Sequence, residues 1–172
     1  MTTSQENPVA SKGVLEMFTV AVEFCLFVEK ASNYKRADIL TYMQKMIPLL
    51  YLKGALLPTI LPEYPEANER YVTEMQWEDI FTPLREKFGS LDNFPYYNYQ
   101  EMDMEPPSKG SLAENLADIY QDLKDFTLLY QKNSLAAKEN AVAELKRFFT
   151  SHWGSRLVET LHYIHHVLTE EE

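Results

Sequence analysis

Apolar residues recur at helical spacing along most of the chain, and the clearest example lies at 111–130. Ser111 begins this run and Glu114 follows three residues later, the spacing of a capping box that satisfies backbone donors at a helix N-terminus. Because residues three and four apart share one side of a helix, the pattern predicts a central amphipathic helix. Its apolar stripe consists of Leu112, Leu116, Ile119, Leu123 and Phe126.

Other segments show the same periodicity and predict further helices, while no alternating pattern of strands is visible. The helices are expected over about 14–28, 35–57, 73–88 and 134–150, with a last one after a break at 151–154. The fold class predicted is therefore all-α: a single-domain helix bundle of about six helices. We expect a flexible N-terminus at 1–12, one helical domain at 13–169 and a frayed acidic tail at 170–172.

The segment 91–109 is the longest stretch without helical periodicity and is expected to be a loop. It combines aromatic rings with carboxylates and prolines: Phe94, Tyr96, Tyr97, Tyr99, Asp92, Glu101, Asp103, Glu105, Pro95, Pro106 and Pro107. A loop of this length in a compact domain either binds a partner or packs over its own aromatic residues. Both interpretations stay open from the sequence.

Composition narrows the class of protein. A length of 172 residues suits one domain with its own core, and 45% hydrophobic with 24% charged residues is typical of a globular protein. A net charge of −10 argues against a nucleic-acid partner, which requires a basic surface. The five glycines are isolated from one another, so no phosphate-binding loop can be assembled, and we predict no cofactor.

The N-terminal region and the single cysteine predict a cytoplasmic protein. The first residues lack the layout of a signal peptide, and the apolar run that follows is interrupted by Glu16 and Glu23 and is too short to span a membrane. Cys25 cannot form an internal disulfide and fits a reducing compartment. We therefore expect no membrane association.

Two motifs resemble a family of small bacterial proteins found in Bacteroides-type bacteria. They are GSLAENLADIYQDLKDF at 110–126 and HWG at 152–154, and the run LLYLKGALLP at 49–58 is also similar. The family is catalogued as domain-of-unknown-function family five-zero-six-three. The resemblance covers most of the chain and implies an all-helical bundle in a bacterial cytoplasm. It implies no activity, because none is assigned to the family.

A stripe of four carboxylates runs along the central helix: Glu114, Asp118, Asp122 and Asp125. Like charges at these spacings repel by roughly 0.2–0.5 kcal/mol per pair, a cost that a merely solvated face would avoid. One interpretation is that Asp118 and Asp122 hold a cation, a metal or a basic partner. The alternative is that a basic residue of the same fold pairs with them: Lys35, Arg36, Lys146, Arg147 or Arg156.

The last helix carries a weak metal-site pattern. Glu159, His162 and His166 follow one another at spacings of three and four, and His152 is a candidate third histidine. A metal-dependent enzyme with a site made of these histidines, or of Asp118 and Asp122, is one alternative function. A solvated helix flank is the other interpretation of this pattern, and a di-iron bundle would need the Glu-x-x-His motif twice.

Two aromatic residues complete the candidates. Trp153 lies beside the break at Gly154 and either covers the end of the bundle or forms the floor of a pocket under the tyrosine-rich loop. Phe27 lies among the polar residues of the first helix. It is either covered by a loop or part of a homodimer interface.

Taken together, these patterns favour a non-catalytic binding module. Its surface would be the loop 91–109 beside the acidic face of the helix 111–130, and its partner an unidentified protein or a small basic ligand. The residues expected to form that surface are Tyr96, Tyr97, Tyr99, Asp118, Asp122 and Trp153. The metal-dependent enzyme and the structural homodimer are the alternatives.

Overall fold

A computed structural model describes residues 6–99 and 106–170, and it confirms the all-α bundle. The described residues contain six α-helices, one short two-stranded sheet and several short 3-10 turns. The helices are α1 (Lys12–Glu29), α2 (Arg36–Ala55), α3 (Glu74–Phe88), α4 (Leu112–Tyr130), α5 (Leu135–Phe148) and α6 (Gly154–Glu170). Pro48 and Pro83 lie inside α2 and α3, and both helices continue past them.

Helix α4 is the centre of the bundle, as its periodicity predicts. It packs against α1, α3, α5 and α6, and 13 of its 19 residues are buried. Ser111 caps it, because its hydroxyl oxygen accepts a hydrogen bond of 3.1 Å from the backbone N–H of Glu114. The reciprocal bond of a capping box, from the backbone N–H of Ser111 to the Glu114 carboxylate, is not present. A different donor of the first turn, the backbone N–H of Ala113, is bound by the carboxylate of Asp92 at 2.8 Å.

The segment 91–109 is not wholly a loop, which corrects the sequence prediction. Its two ends form an antiparallel hairpin, β1 (Asn93–Tyr96) with β2 (Ser108–Ser111). Phe94 lies opposite Gly110, and a Cβ atom at Gly110 would come within 2.5 Å of the Phe94 ring. The same ring is buried and stacks on Tyr163 of α6 with 4.5 Å between ring centroids. The hairpin is thereby fixed to the end of the bundle.

The predicted break at 151–154 is wrong, because the chain stays helical from α5 to α6. A π-helical segment, Phe149–Trp153, joins them directly. Trp153 is fully buried and its indole N–H donates to the carbonyl of Leu145 at 2.9 Å. Its ring lies against Gly54 of α2, so the side chain packs inside the bundle and does not reach the surface.

Residues near both limits of the described part belong to regular elements. Pro8–Ala10 form a 3-10 turn, and the carbonyl of Val9 accepts a 2.6 Å hydrogen bond from the hydroxyl of Tyr130. This turn lies within the segment 1–12 that was predicted to be flexible, while residues 1–5 lie outside the described part. Glu170, predicted to fray, is the last residue of α6.

Phe27 is covered by its own chain. Its ring stacks between Tyr34, in the turn after α1, and Tyr42 of α2, with centroid distances of 4.6 and 3.6 Å. The position of Phe27 among polar residues is therefore explained by its packing against Tyr34 and Tyr42, and it requires no partner protein.

The close approach of α2 to Trp153 yields a test of the core. In Gly54→Ala the new Cβ would lie 2.5 Å from the buried Trp153 ring and 2.7 Å from the partly buried Phe149 ring, so both rings must shift. We expect the free energy of unfolding to fall by about 1–3 kcal/mol in urea titrations.

Gly13→Ala is the matched control in another helix. Its Cβ would meet only the carbonyl oxygen of Leu56 at 4.0 Å, so the variant should be as stable as wild type or more stable by up to about 1 kcal/mol. If the Gly54 variant and wild type had the same free energy of unfolding, the two aromatic rings could shift without destabilising the fold.

Candidate functional site

The acidic side of α4 is enclosed by other elements of the fold. Asp122 is buried, and Asp118 and Asp125 are partly buried, with donors supplied from outside α4. Only Glu114, at the first turn of the helix, is exposed. The sequence prediction of an exposed acidic face on this helix is therefore wrong beyond its first turn.

Asp118 is bound by side chains from three elements. Its carboxylate accepts hydrogen bonds from the indole N–H of Trp77 at 3.0 Å and from the guanidinium of Arg156 at 3.2 Å. The Nε2 atom of His152 lies 3.5 Å away. Arg156 is thus the intramolecular partner among the basic residues that the sequence offered, and it also lies 3.7 Å from Glu159.

Asp122 forms the shortest contact of this cluster, 2.6 Å between its carboxylate oxygen and Nδ1 of His152. The hydrogen bonds to Asp118 and Asp122 raise the pKa of His152 to about 9, against the opposing effect of burial. The ring is therefore an imidazolium at neutral pH. Burial raises the pKa of Asp122. Burial is also the largest single influence on Asp118, but the hydrogen bonds and positive charges of His152, Trp77 and Arg156 together outweigh it, and the pKa of Asp118 is lowered.

Asp125 anchors the connection between α2 and α3. One of its carboxylate oxygens accepts from the backbone N–H groups of Tyr71 and Val72 at 2.8 and 2.9 Å. Burial raises the pKa of Asp125, and the two backbone hydrogen bonds oppose that rise. Residues 71 and 72 have no regular secondary structure, so their N–H groups lack the carbonyl partners of a helix or sheet. The carboxylate of Asp125 accepts their hydrogen bonds in place of such a carbonyl.

A small cavity lies beside these carboxylates. Its volume is about 20 Å³, which admits one water molecule and no substrate. The polar side chains that line it include one amide, one cation and four carboxylates: Asn68, Arg70, Glu69, Asp122, Asp125 and Glu144. Asp118 and Asp122 are therefore paired within the fold, and the arrangement supports a structural ion cluster at the junction of four helices.

The structure does not bring the three candidate metal-binding histidines together. His152 contacts Asp118 and Asp122, while His166 lies 3.4 Å from Glu170 and His162 is exposed. His152 and His162 are ten residues apart along one helical run, which corresponds to roughly 15 Å. Across residues 6–99 and 106–170, no group of three or more His, Cys, Asp or Glu residues is arranged to hold a metal ion.

The tyrosines of the hairpin divide into two kinds. Tyr96 is partly buried beside Phe94, with 6.2 Å between ring centroids. Tyr97 is 68% exposed and Tyr99 is 90% exposed. Trp153 is in the core and cannot share a surface with them. The prediction that Trp153 belongs to the contact surface is therefore wrong. Glu101 and Asp103 lie outside the described residues.

Sequence reasoning missed two residues that organise this region. Asp92 is buried and accepts 2.7 and 2.8 Å hydrogen bonds from Ser111 and Ala113, although it was expected in an acidic loop. Asn115 donates to Thr160 of α6 at 3.2 Å. The sequence carried no signal for either residue, because both bonds join elements far apart in the chain.

The ion cluster predicts a pH-dependent stability. Because the pKa of His152 is raised from 6.5 to about 9 on folding, its stabilising contribution is complete below pH 6.5 and is lost as the pH rises through 9. The free energy of unfolding should fall by about 1–3 kcal/mol over this range. Chemical denaturation at a series of pH values measures it.

The control is His152→Asn, which keeps a donor and cannot ionise. Its stability should be nearly constant across the same pH range, although lower than that of wild type at pH 6.5. Parallel pH profiles for the two proteins would show that this imidazolium does not contribute.

No helix in the described ranges is long and apolar enough to cross a lipid bilayer. 

Comparison with known proteins places the chain in a family without assigning it an activity. No curated protein matches it. The crystal structure of protein BF1032 from Bacteroides fragilis, a structural genomics target, is similar, with a TM-score of 0.83 and 34% sequence identity. That match covers 94% of this chain and 95% of the other. The family described as "Domain of unknown function (DUF5063)" matches residues 8–170, and the chain belongs to this family.

Proposed function

We propose that the protein is a non-catalytic interaction module that presents its hairpin to a basic segment of a protein partner. The observation that supports this most directly is the exposure of Tyr97 and Tyr99 immediately beyond a strand that is fixed to the bundle. The acidic side of α4 is not part of the proposed surface, because its carboxylates are paired within the fold.

The anchoring of the hairpin supports a recognition role for the tyrosines. Phe94 is buried against Tyr163, and Asp92 joins the start of the hairpin to Ser111 at its end. A platform that is already ordered loses little conformational entropy on binding, so more of the contact energy appears as affinity. Tyrosine suits such a surface because it supplies a large contact area with few rotatable bonds.

The charge of the hairpin sequence indicates the kind of partner. Between the two strands, residues 97–107 include three carboxylates, Glu101, Asp103 and Glu105, and no basic residue. Carboxylates close in sequence to exposed aromatic rings favour lysine- and arginine-bearing segments through charge and cation–π attraction. A projecting aromatic edge also suits a protein surface better than a small molecule, which is normally held in a concave pocket.

The test uses a displayed library of random peptides selected against the purified protein. We expect selected peptides to be enriched in Lys and Arg. The double variant Tyr97→Ser, Tyr99→Ser should bind them at least tenfold more weakly, because aromatic residues dominate binding energy at interfaces. Titration calorimetry with synthetic copies of the selected peptides measures the change.

Tyr64→Ser is the matched control, since Tyr64 is an exposed tyrosine outside the hairpin. It should bind the selected peptides like wild type, and all three proteins should unfold at the same temperature. Peptides without basic enrichment, or unchanged affinity in the double variant, would overturn the proposal.

A further inference from the structure

Three of the four histidines of the chain lie within five residues of α6. They are His162, His165 and His166, and all three are exposed, whereas His152 is held in the ion cluster. An exposed imidazole is not fixed by packing, so its ring nitrogens can turn toward a ligand in solution. This turn of α6 is therefore the place where the chain offers imidazole groups to a ligand.

His162 and His166 are one helical turn apart on the same side of α6. The helix is continuous across both residues and ends at Glu170. The two Cβ atoms are therefore about 5–6 Å apart, and their directions around the helix axis differ by about 40°. His165 lies about 60° to the other side of His162. A spacing of four residues is also that of the two zinc-binding histidines in helices of the His-Glu-x-x-His type.

Glu170 orients the second imidazole of this pair. Its carboxylate oxygen lies 3.4 Å from Nε2 of His166. A carboxylate at Nε2 favours the tautomer that carries its proton on that nitrogen, which leaves the lone pair on Nδ1 for a metal ion. Carboxylates commonly accept from metal-bound histidines in this way and make the imidazole a better donor. Within the described residues, no hydrogen bond or ion pair engages the ring of His162.

We propose that His162 and His166 form a surface site for one divalent transition-metal ion of the group Zn²⁺, Ni²⁺ and Cu²⁺. Imidazole is a preferred ligand of these ions, whereas Mg²⁺ and Ca²⁺ require oxygen ligands. Two protein nitrogens leave the other positions of the ion to water, unlike a closed structural zinc site with four protein ligands. A two-ligand site also agrees with the absence, in the part of the chain that the structure describes, of any group of three or more ligands arranged for a metal.

The charge of the sequence around this pair suits a cation. Residues 157–172 contain no lysine or arginine, and their four carboxylates are Glu159, Glu170, Glu171 and Glu172. The nearest basic residue before them, Arg156, is bound to Asp118 and lies 3.7 Å from Glu159. A metal ion therefore approaches this end of α6 without repulsion from an unpaired positive side chain of the helix.

Titration calorimetry with Zn²⁺ at neutral pH tests the proposal. Wild type should bind one equivalent. His162→Gln and His166→Gln should each weaken binding at least about tenfold, because an ion attached at two points is then attached at one. His165→Gln is the matched control, since it removes an exposed histidine from the same turn, and it should bind Zn²⁺ like wild type. All three side chains are exposed, so the circular dichroism of the variants should equal that of wild type.

Cu²⁺ serves as a second probe, because pulsed electron paramagnetic resonance counts the imidazole ligands of this ion. The complex with one equivalent should show two imidazoles in wild type and in His165→Gln, and one in His166→Gln. Cys25 is buried and does not compete for the ion. Loss of an imidazole in His165→Gln instead of His166→Gln would overturn the assignment of the pair. Absence of Zn²⁺ binding, or several weak equivalents that none of the three substitutions changes, would overturn the proposal altogether.

Discussion

Asp118, Asp122 and Asp125 lie on the one helix that the others surround, so each must find its hydrogen-bond donors inside the fold. The donors come from different elements: Trp77 and Arg156 for Asp118, the π-helical segment for Asp122, and the connection before α3 for Asp125. Carboxylates that repel one another along α4 thus become the points at which neighbouring segments attach to it. An unpaired charge at this depth would cost several kcal/mol, which makes each attachment specific.

This arrangement separates the interior of the protein from its candidate contact surface. The carboxylates of the ion cluster are paired and its cavity has room for only one water molecule, so it offers little to a ligand. The hairpin has the opposite character, because the rings of Tyr97 and Tyr99 are exposed at its end. The recognition proposed for this protein therefore involves its surface hairpin and not its interior.

The sequence predicted the helices well and the remaining structure poorly, for a physical reason. Helical periodicity is local, so α4 and its cap at Ser111 could be identified from about twenty residues. The pairing of Asn93 with Ser111 is non-local, and strands of four residues that contain Pro95 and Gly110 show no alternation. The Ser and Gly residues around Trp153 resemble a helix break, yet a π-helical turn accommodates them without one.

For the candidate site, the spacing of Asp118 and Asp122 identified the carboxylates but not their surroundings. A stripe on a helix is solvated or enclosed according to how many neighbours the helix has, and that number depends on the whole topology. The sequence named Arg156 among five basic residues and could not choose between them. The exposure of Tyr97 and Tyr99 depends likewise on the hairpin, which the pattern did not reveal.

The π-helical segment imposes a length constraint on this part of the chain. Residues 135–170 form one uninterrupted helical rod, in which the extra residue of the π turn sets the angle between the buried sides of α5 and α6. Removing or adding one residue between Leu145 and Leu157 would rotate α6 by about 100° and turn Ile164 from the core toward water. Insertions and deletions should therefore be tolerated in the connection between β1 and β2 and excluded from this rod.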